Sequence, residues 1–293
     1  MTPRVIRRQA RAKINVFLRV LGLREDGYHE LESLVVPISL ADRVTVRPAE
    51  ELRVVVTGAA ELSREVPTGG LNLALIAALG LADACPAAAG AVIEIDKKIP
   101  VAGGLGGGSA DAAAALVALN ELWGCDVDPA TLAGIGEQVG SDVPAMLWGR
   151  PVLMAGRGER LAPADVAPLH WVLAPSERGV RSPDAYRWWD ELGAEPGPDP
   201  ESLLAAAAVG DAEALGPLLF NDLEAPVFAH HPEIGGTKTR LLEFGALGAV
   251  MSGSGSSVVG LARDLGHARE LAAVLAGALG AATTVVGPPP DAG

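Results

Sequence analysis

Aromatic side chains are scarce in this chain: five Trp, four Phe and two Tyr among 293 residues. Since 49% of the residues are apolar, a sizeable core must be assembled from small and aliphatic side chains rather than from rings. Cysteine is scarcer still. Cys85 and Cys125 show no metal-like spacing, and no histidine pattern of a zinc site accompanies them, so two ordinary buried or half-buried thiols in a reducing compartment are expected. Positive charge is also short. The 23 Lys and Arg stand against 36 Asp and Glu, a net charge of −13, which argues against a nucleic-acid partner. It does not exclude a nucleotide, whose phosphates a few backbone amides and one lysine can hold. No apolar run reaches the about twenty residues of a membrane span. The longest, around Leu71–Ala82, contains Asn72 and Gly80. Arg4, Arg7, Arg8 and Arg11 are followed by no apolar signal core before Lys13 and Asn15, so the expectation is a soluble cytoplasmic protein without a membrane partner.

Glycine, by contrast, is abundant and concentrated. In Pro100-Val-Ala-Gly-Gly-Leu-Gly-Gly-Gly-Ser-Ala-Asp111, five of the six residues from Gly103 to Gly108 are glycine. The preceding Ala91–Asp96 alternates and is rich in β-branched residues, as a strand does. The following Ala110–Trp123 is helix-forming throughout, with Ser109 near its expected N-cap. Strand, glycine loop and helix start in that order describe an anion cradle: the helix N-terminus presents unpaired N–H groups, and glycine lets backbone approach closely. No Gly-Lys-Ser/Thr follows, so this is not a Walker A loop. The Gly-x-Gly-x-x-Gly spacing fails at its last position, against a dinucleotide-binding fold.

Along the chain, Val5–Val20 reads as a first strand with Lys13 and Asn15 on one face. A turn at Gly22–Gly27 leads to Tyr28-His-Glu-Leu31 and the apolar stretch Leu34–Leu40. Val44–Arg47 and Leu52–Thr57 are two further strands. Gly70–Leu79 reads as a helix. Asp128-Pro129 opens another that ends near Gly140-Ser-Asp-Val-Pro144. Pro151–Arg157 is strand-like, and a domain boundary falls there, dividing residues 1–157 from 158–293. The second part holds a strand at Trp171–Ala174, helical stretches at Ser202–Val209, Asp211–Leu219 and Thr237–Phe244, and a strand, turn and strand over Ala249–Leu261. The helix His267–Leu279 and the strand Thr283–Val286 follow, then a frayed tail, Pro288–Gly293. This β-α-β-β-α-β-like order describes a split βαβ sandwich. Asp142 is either a turn-capping aspartate or a functional carboxylate. Ser252-Gly-Ser-Gly-Ser256 is either a plain hairpin connection or a second set of small donors near an anion.

Ala12-Lys-Ile-Asn15, the Pro-x-x-x-Gly-Leu-Gly-x-x-Ser-Ala pattern of Pro100–Ala110, and Gly248-Ala-Val-Met-Ser-Gly-Ser-Gly-Ser256 occur in that order. The triplet spans nearly the whole chain and resembles the three motifs of the GHMP kinases. Asp26-Gly-Tyr-His-Glu-Leu31, Gly103-Gly-Leu-Gly-Gly-Gly-Ser109 and Gly140-Ser-Asp-Val-Pro144 look like the branch whose substrate alcohol carries a cytidyl group. The resemblance implies a two-lobed α+β kinase, with an N-terminal ATP-binding lobe, a C-terminal split-βαβ (ferredoxin-like) lobe and the active site in the cleft. It implies ATP as co-substrate, with Mg²⁺. Asp142 would be the base on the substrate hydroxyl and Lys13 its charge partner. ATP would lie along Pro100, Val101, Ala102, Gly103, Gly104, Leu105, Gly106, Gly107, Gly108, Ser109 and Ala110, with Asn72 near the adenine and Lys97 or Lys98 at its edge. Ser109 is also the one candidate metal ligand. Tyr28, His29 and Tyr186 would surround the cytosine, Asn15 would hold a hydroxyl of the alcohol, and Ser182, Gly253 and Ser254 would line the substrate. The stretch before Tyr186 departs from the family pattern at Arg181 and Pro183.

Overall fold

The computed structural model describes residues 4–176, 178–279 and 283–289. Residues 290–293 of the expected tail lie outside that description. The chain forms two compact units that interleave along the sequence. One takes the N-terminal residues through Ala12, then Leu40–Val101 and Gly106–Gly149; the other takes Lys13–Ser39, Ala102–Leu105 and the chain from Arg150 onward. A linear cut at 157 therefore differs from the units, because the two long opening strands each contribute to both.

The first unit uses the ends of β1 (Ile6–Leu23) and β2 (His29–Pro48), then β3 (Arg53–Gly58), α1 (Ala60–Glu65), α2 (Leu73–Ala84), β4 (Ala91–Lys97), α3 (Gly107–Trp123), α4 (Pro129–Val139) and α5 (Val143–Trp148). β3 pairs parallel to β4, and Arg43–Pro48 of β2 pairs antiparallel to it. Expected β-propensity explains β4, whose Val92, Ile93 and Ile95 are buried. α2 and α3 pack through alanines: Ala74, Ala77 and Ala78 on one helix, Ala110 and Ala112–Ala115 on the other, all buried. Small side chains let two helix backbones approach closely, so the scarcity of rings is met by close packing of aliphatic groups. Asn72 caps α2, its side-chain oxygen accepting from the N–H of Ala74 and Leu75. α5 was not expected from sequence; Gly140–Pro144 reads as a turn, but Pro144 stands in the first turn of a helix, where its missing N–H costs nothing.

The second unit holds β5 (Val152–Gly156), β6 (Arg160–Pro163), β7 (His170–Ala174), α6 (Ser182–Leu192), α7 (Glu201–Val209), α8 (Ala212–Leu215), β8 (Phe220–Asn221), α9 (Glu224–His230), α10 (Pro232–Glu243), β9 (Gly248–Met251), β10 (Val258–Ala262), α11 (Leu265–Leu279) and β11 (Thr284–Val286). One sheet runs β11-β7-β10-β9 with every neighbouring pair antiparallel. That strand order is the split βαβ, ferredoxin-like arrangement expected from sequence. β5 pairs with Leu31–Val35 of β2 and with β6, while β8 runs parallel to β1 at Phe17 and Leu18. α6 and α9 lack a clear sequence signal because Pro183 and Pro226 look like breakers; both prolines lie in the first turns of their helices. Among the described residues no helix is long and apolar enough to cross a membrane.

The cysteines overturn the expectation of two thiols. Cys85, at the C-terminal cap of α2, is disulfide-bonded to Cys125, just beyond α3. The bond ties together the C-terminal ends of the two helices that pack through alanine. A closed loop spanning 40 residues of sequence removes unfolded-state entropy worth about 4 kcal/mol in the loop-closure picture. Thiol titration in denaturant is expected to find no thiol before reduction and two after it. Reduction is expected to lower the melting temperature, and two titratable thiols in the unreduced protein would contradict the pairing.

Candidate active site

The polar face of β1 is not a solvent face. Lys13 is 4% exposed and Asn15 1%. A buried ammonium needs partners. Lys13 Nζ donates to Asn15 Oδ1 at 2.6 Å and to the Gly104 carbonyl at 2.9 Å. The Ser252 hydroxyl donates to that same carbonyl at 2.9 Å, and the Asn15 N–H donates back to Ser252 Oγ at 3.3 Å. Asn15 Nδ2 donates to Ser33 Oγ at 2.7 Å, and the Ser33 hydroxyl donates to Phe17 O. The three separated motifs thus meet at one oxygen. The neighbouring loop carbonyls are held as well: Leu105 O accepts from the Lys13 N–H at 3.0 Å and Gly103 O from the Ser257 N–H at 3.1 Å. In a trans peptide the N–H points opposite to the C=O. The N–H groups of Gly104, Leu105 and Gly106 therefore each point away from the partner that holds the carbonyl of the same peptide.

Gly104 sits at φ +74°, and a Cβ there would lie 1.9 Å from Ser252 O, so only glycine fits. Ser252-Gly-Ser-Gly-Ser256 is more than a hairpin connection. Asn221 Nδ2 donates to Met251 O and Gly253 O, each at 2.7 Å, and the part-buried Glu224 accepts the Met251 N–H at 2.8 Å. Burial pushes the Glu224 carboxyl up, against the opposing pull of Lys238. The Ser256 and Ser257 hydroxyl oxygens are buried and find no hydrogen-bond partner among the described residues. Asn221 and Glu224 were not expected; their only sequence signal is a polar Asn-Asp-Leu-Glu run after helical stretches.

A second cluster lies in the same unit. The His29 ring stacks on Tyr186 with centroids 4.9 Å apart, and His29 Nε2 lies 2.9 Å from Asp190 Oδ1. Arg157 lies over the exposed Tyr28 ring, 5.0 Å from its centroid. Ser182 Oγ and Ser254 Oγ are 2.8 Å apart. His29 and Tyr186 are therefore brought together, as are Ser182 and Ser254, despite the altered segment between 180 and 186. Asp190 and Arg157 were missed. Asp190 follows Tyr186 by one helical turn, which was invisible while α6 went unrecognised.

The first unit carries the remaining predicted residues. Gly106, at φ +67°, is the N-cap of α3, so the helix starts earlier than expected and Ser109 lies inside its first turn rather than at the cap. Ser109 Oγ lies 3.8 Å from where a Cβ on Gly140 would sit, beside the segment that carries Asp142. Asp142 is the N-cap residue of α5, with no side-chain capping bond to that helix. Asn72 is committed to its cap, donating also to Pro67 O at 2.7 Å. Lys97, expected at the adenine edge, is 4% exposed. Its ammonium is buried between two carboxylates, on Asp42 and, at 2.8 Å, on Asp111 Oδ2. Burial alone would lower the Lys97 pKa, but the charges of Asp111 and Asp42 outweigh it and raise it. Burial pushes Asp111 up to about 7, with Asp42 adding to the rise and Lys97 opposing it.

Residues 72–150 match the family model described as the GHMP kinases N terminal domain, and residues 203–281 match GHMP kinases C terminal. Fold, paired domains and site geometry together define an ATP-dependent kinase of the GHMP class. The chain is 46% identical over 260 residues to a protein of Symbiobacterium thermophilum named 4-diphosphocytidyl-2-C-methyl-D-erythritol kinase, covering 87% of this chain and 90% of that one. A protein of the same name from Pelotomaculum thermopropionicum is 46% identical over 277 residues, covering 92% and 93%. A crystal structure of 4-(cytidine 5'-diphospho)-2C-methyl-D-erythritol kinase superposes with a TM-score of 0.80 at 36% identity, over 96% of this chain and 98% of that one. The chain belongs to the 4-diphosphocytidyl-2-C-methyl-D-erythritol kinase family.

Two outcomes are expected. Gly104→Ala pushes a methyl into Ser252 O and is expected to remove nucleotide binding, read by calorimetric titration with ATP; wild-type affinity would contradict the close approach. Asp111 has a folded-state pKa raised from 3.8 to about 7. The stability from its bound proton is therefore full below about pH 4 and lost as pH rises toward 7. Urea unfolding across that window is expected to show a shallower loss of stability in Asp111→Asn than in wild type, and equal slopes would contradict it.

Proposed function

We propose that this kinase transfers the γ-phosphate of ATP to the 2-hydroxyl of 4-diphosphocytidyl-2-C-methyl-D-erythritol, giving the 2-phosphate and ADP in the cytoplasmic non-mevalonate isoprenoid route. The observation that carries the substrate assignment is the aromatic corner, His29 stacked on Tyr186 with Asp190 at Nε2 and Tyr28 next in sequence. A pyrimidine ring is recognised by aromatic faces and by a polar edge, and this corner supplies both. The named relatives support the same substrate.

In this reading the N–H face of Gly104–Gly106 and the start of α3 hold the ATP phosphates. The Asp142 carboxylate takes the proton from the 2-hydroxyl as that oxygen attacks phosphorus, and the β–γ bridging oxygen leaves with ADP. Lys13 neutralises charge near the base and the transferred group. Phosphoryl transfer asks mainly for positioning and charge neutralisation, which a base, a cation and a cradle supply. Asn15, its amide oriented by Lys13 and Ser33, holds a hydroxyl of the alcohol; Ser182, Gly253 and Ser254 line its remainder. Among the described residues no group of three acidic, His or Cys side chains is placed to hold a metal. A lone hydroxyl, Ser109, fits Mg²⁺ carried mainly by phosphates and water, which neutralises phosphate charge when bound.

ADP release with ATP, Mg²⁺ and the cytidyl alcohol tests the reading, with mevalonate and homoserine in parallel. Turnover with the cytidyl alcohol alone is expected. Asp142→Asn is expected to lower kcat by about 10²- to 10⁴-fold, the range for a lost general base. Turnover with mevalonate or homoserine instead would overturn the cytosine assignment of Tyr28, His29 and Tyr186.

A further inference from the structure

The glycine loop is entered and left through one buried ion cluster. At its entry, Asp42 Oδ1 accepts the backbone N–H of Lys98 and, at 2.9 Å, that of Ile99. Asp42 Oδ2 accepts from the Lys97 ammonium. At its exit, the same ammonium donates to Asp111 Oδ2 at 2.8 Å, in the second turn of α3. Lys97 Nζ also lies 3.4 Å, and Ile99 Cγ2 3.0 Å, from where a Cβ on Gly107 would sit, so the entry packs directly under the first turn of the helix. All three charged side chains are nearly fully buried, and Asp111 Oδ1 has no hydrogen-bond partner.

This is an expensive way to build a core. Each buried ion loses hydration, and apolar residues of similar volume would often be as stable or more so. Two carboxylates against one ammonium leave an unbalanced negative charge beneath a helix start. Ion clusters of this kind do give fixed geometry, because each bond constrains the next. The bonds here fix the end of β4 against the start of α3, the two points between which Pro100–Gly106 must span.

We propose that Asp42, Lys97 and Asp111 form a positioning latch that sets the span of the phosphate loop, with Asp111 as its helix-side anchor. Their side chains act on the loop through the backbone of Lys98–Ile99 and Gly107. The inference rests on the reading that ATP phosphates bind along this loop. It assigns Lys97 a role in shape rather than in adenine contact.

Asp111→Asn keeps the side-chain size and leaves Lys97 paired with Asp42. Asp42→Asn is the second variant, breaking the entry side instead. Each is measured by calorimetric titration with ATP, by separate titration with the cytidyl alcohol, and by thermal melting. The latch predicts a loss of ATP affinity of about tenfold in both variants, as for a small misplacement of binding groups, with the alcohol bound within about twofold of wild type. A purely structural cluster would weaken both ligands together in proportion to lost folding, and that result would overturn the latch. Unchanged ATP affinity in either folded variant would overturn it too. Wild-type protein that fails to bind ATP would overturn the kinase reading beneath it, and is distinguished because no variant is needed to see it.

Discussion

One carbonyl oxygen organises this molecule. Gly104 O accepts from the Lys13 ammonium and from the Ser252 hydroxyl, at 2.9 Å each. The donors come from the first strand and the last glycine turn, and the acceptor from the loop between them in sequence. Any side chain at Gly104 would collide with Ser252 O, so the contact depends on backbone meeting backbone. The carbonyls of Gly103 and Leu105 are held by backbone N–H groups of Ser257 and Lys13, and the N–H of each of these peptides points away from the group that holds its carbonyl. An anion site made from backbone alone is compatible with a net charge of −13, since it requires no basic patch.

Burying the lysine exacts a cost that the rest of the network offsets. Asn15 supplies Lys13 with an oxygen, Ser33 takes the Asn15 amide, and Ser33 in turn donates to Phe17 O. Each polar atom in this chain of bonds satisfies the next, which is how a polar cluster survives inside a core. Asn221 and Glu224 do the same for the far end of the turn. The second cluster, Asp42, Lys97 and Asp111, follows a different logic. It is incompletely satisfied, and burial, with Asp42 adding to it and Lys97 opposing, raises the Asp111 carboxyl to about 7.

Elements with a clean local signal were legible from sequence. The alternation in Ala91–Asp96, the alanine run of α3 and the Asp-Pro opening of α4 each became the expected element. The strand order of the ferredoxin-like sheet followed from the order of its elements. Helices opening on proline were not legible, because Pro144, Pro183 and Pro226 look like breakers until their positions in a first turn are known. Lys13, Asn15, His29 and Gly104 stand in motifs, which is why the sequence singles them out. Asp190, Asn221 and Asp42 stand in none, because each makes its contact with a partner distant in sequence. The Cys85–Cys125 bond was missed for the same reason: closeness of two helix ends cannot be read from spacing alone.

Lys13 is where the account is most exposed to test, since both the base's charge balance and the loop's shape are assigned to it. The most direct measurement is steady-state turnover of Lys13→Met beside its melting curve. A fall in kcat of about 10²- to 10³-fold is expected, the scale for losing one preorganised electrostatic group. The variant is expected to fold, because an apolar side chain of similar length replaces a buried charge. A folded Lys13→Met protein with kcat within about threefold of wild type, well under one preorganised group, would contradict it.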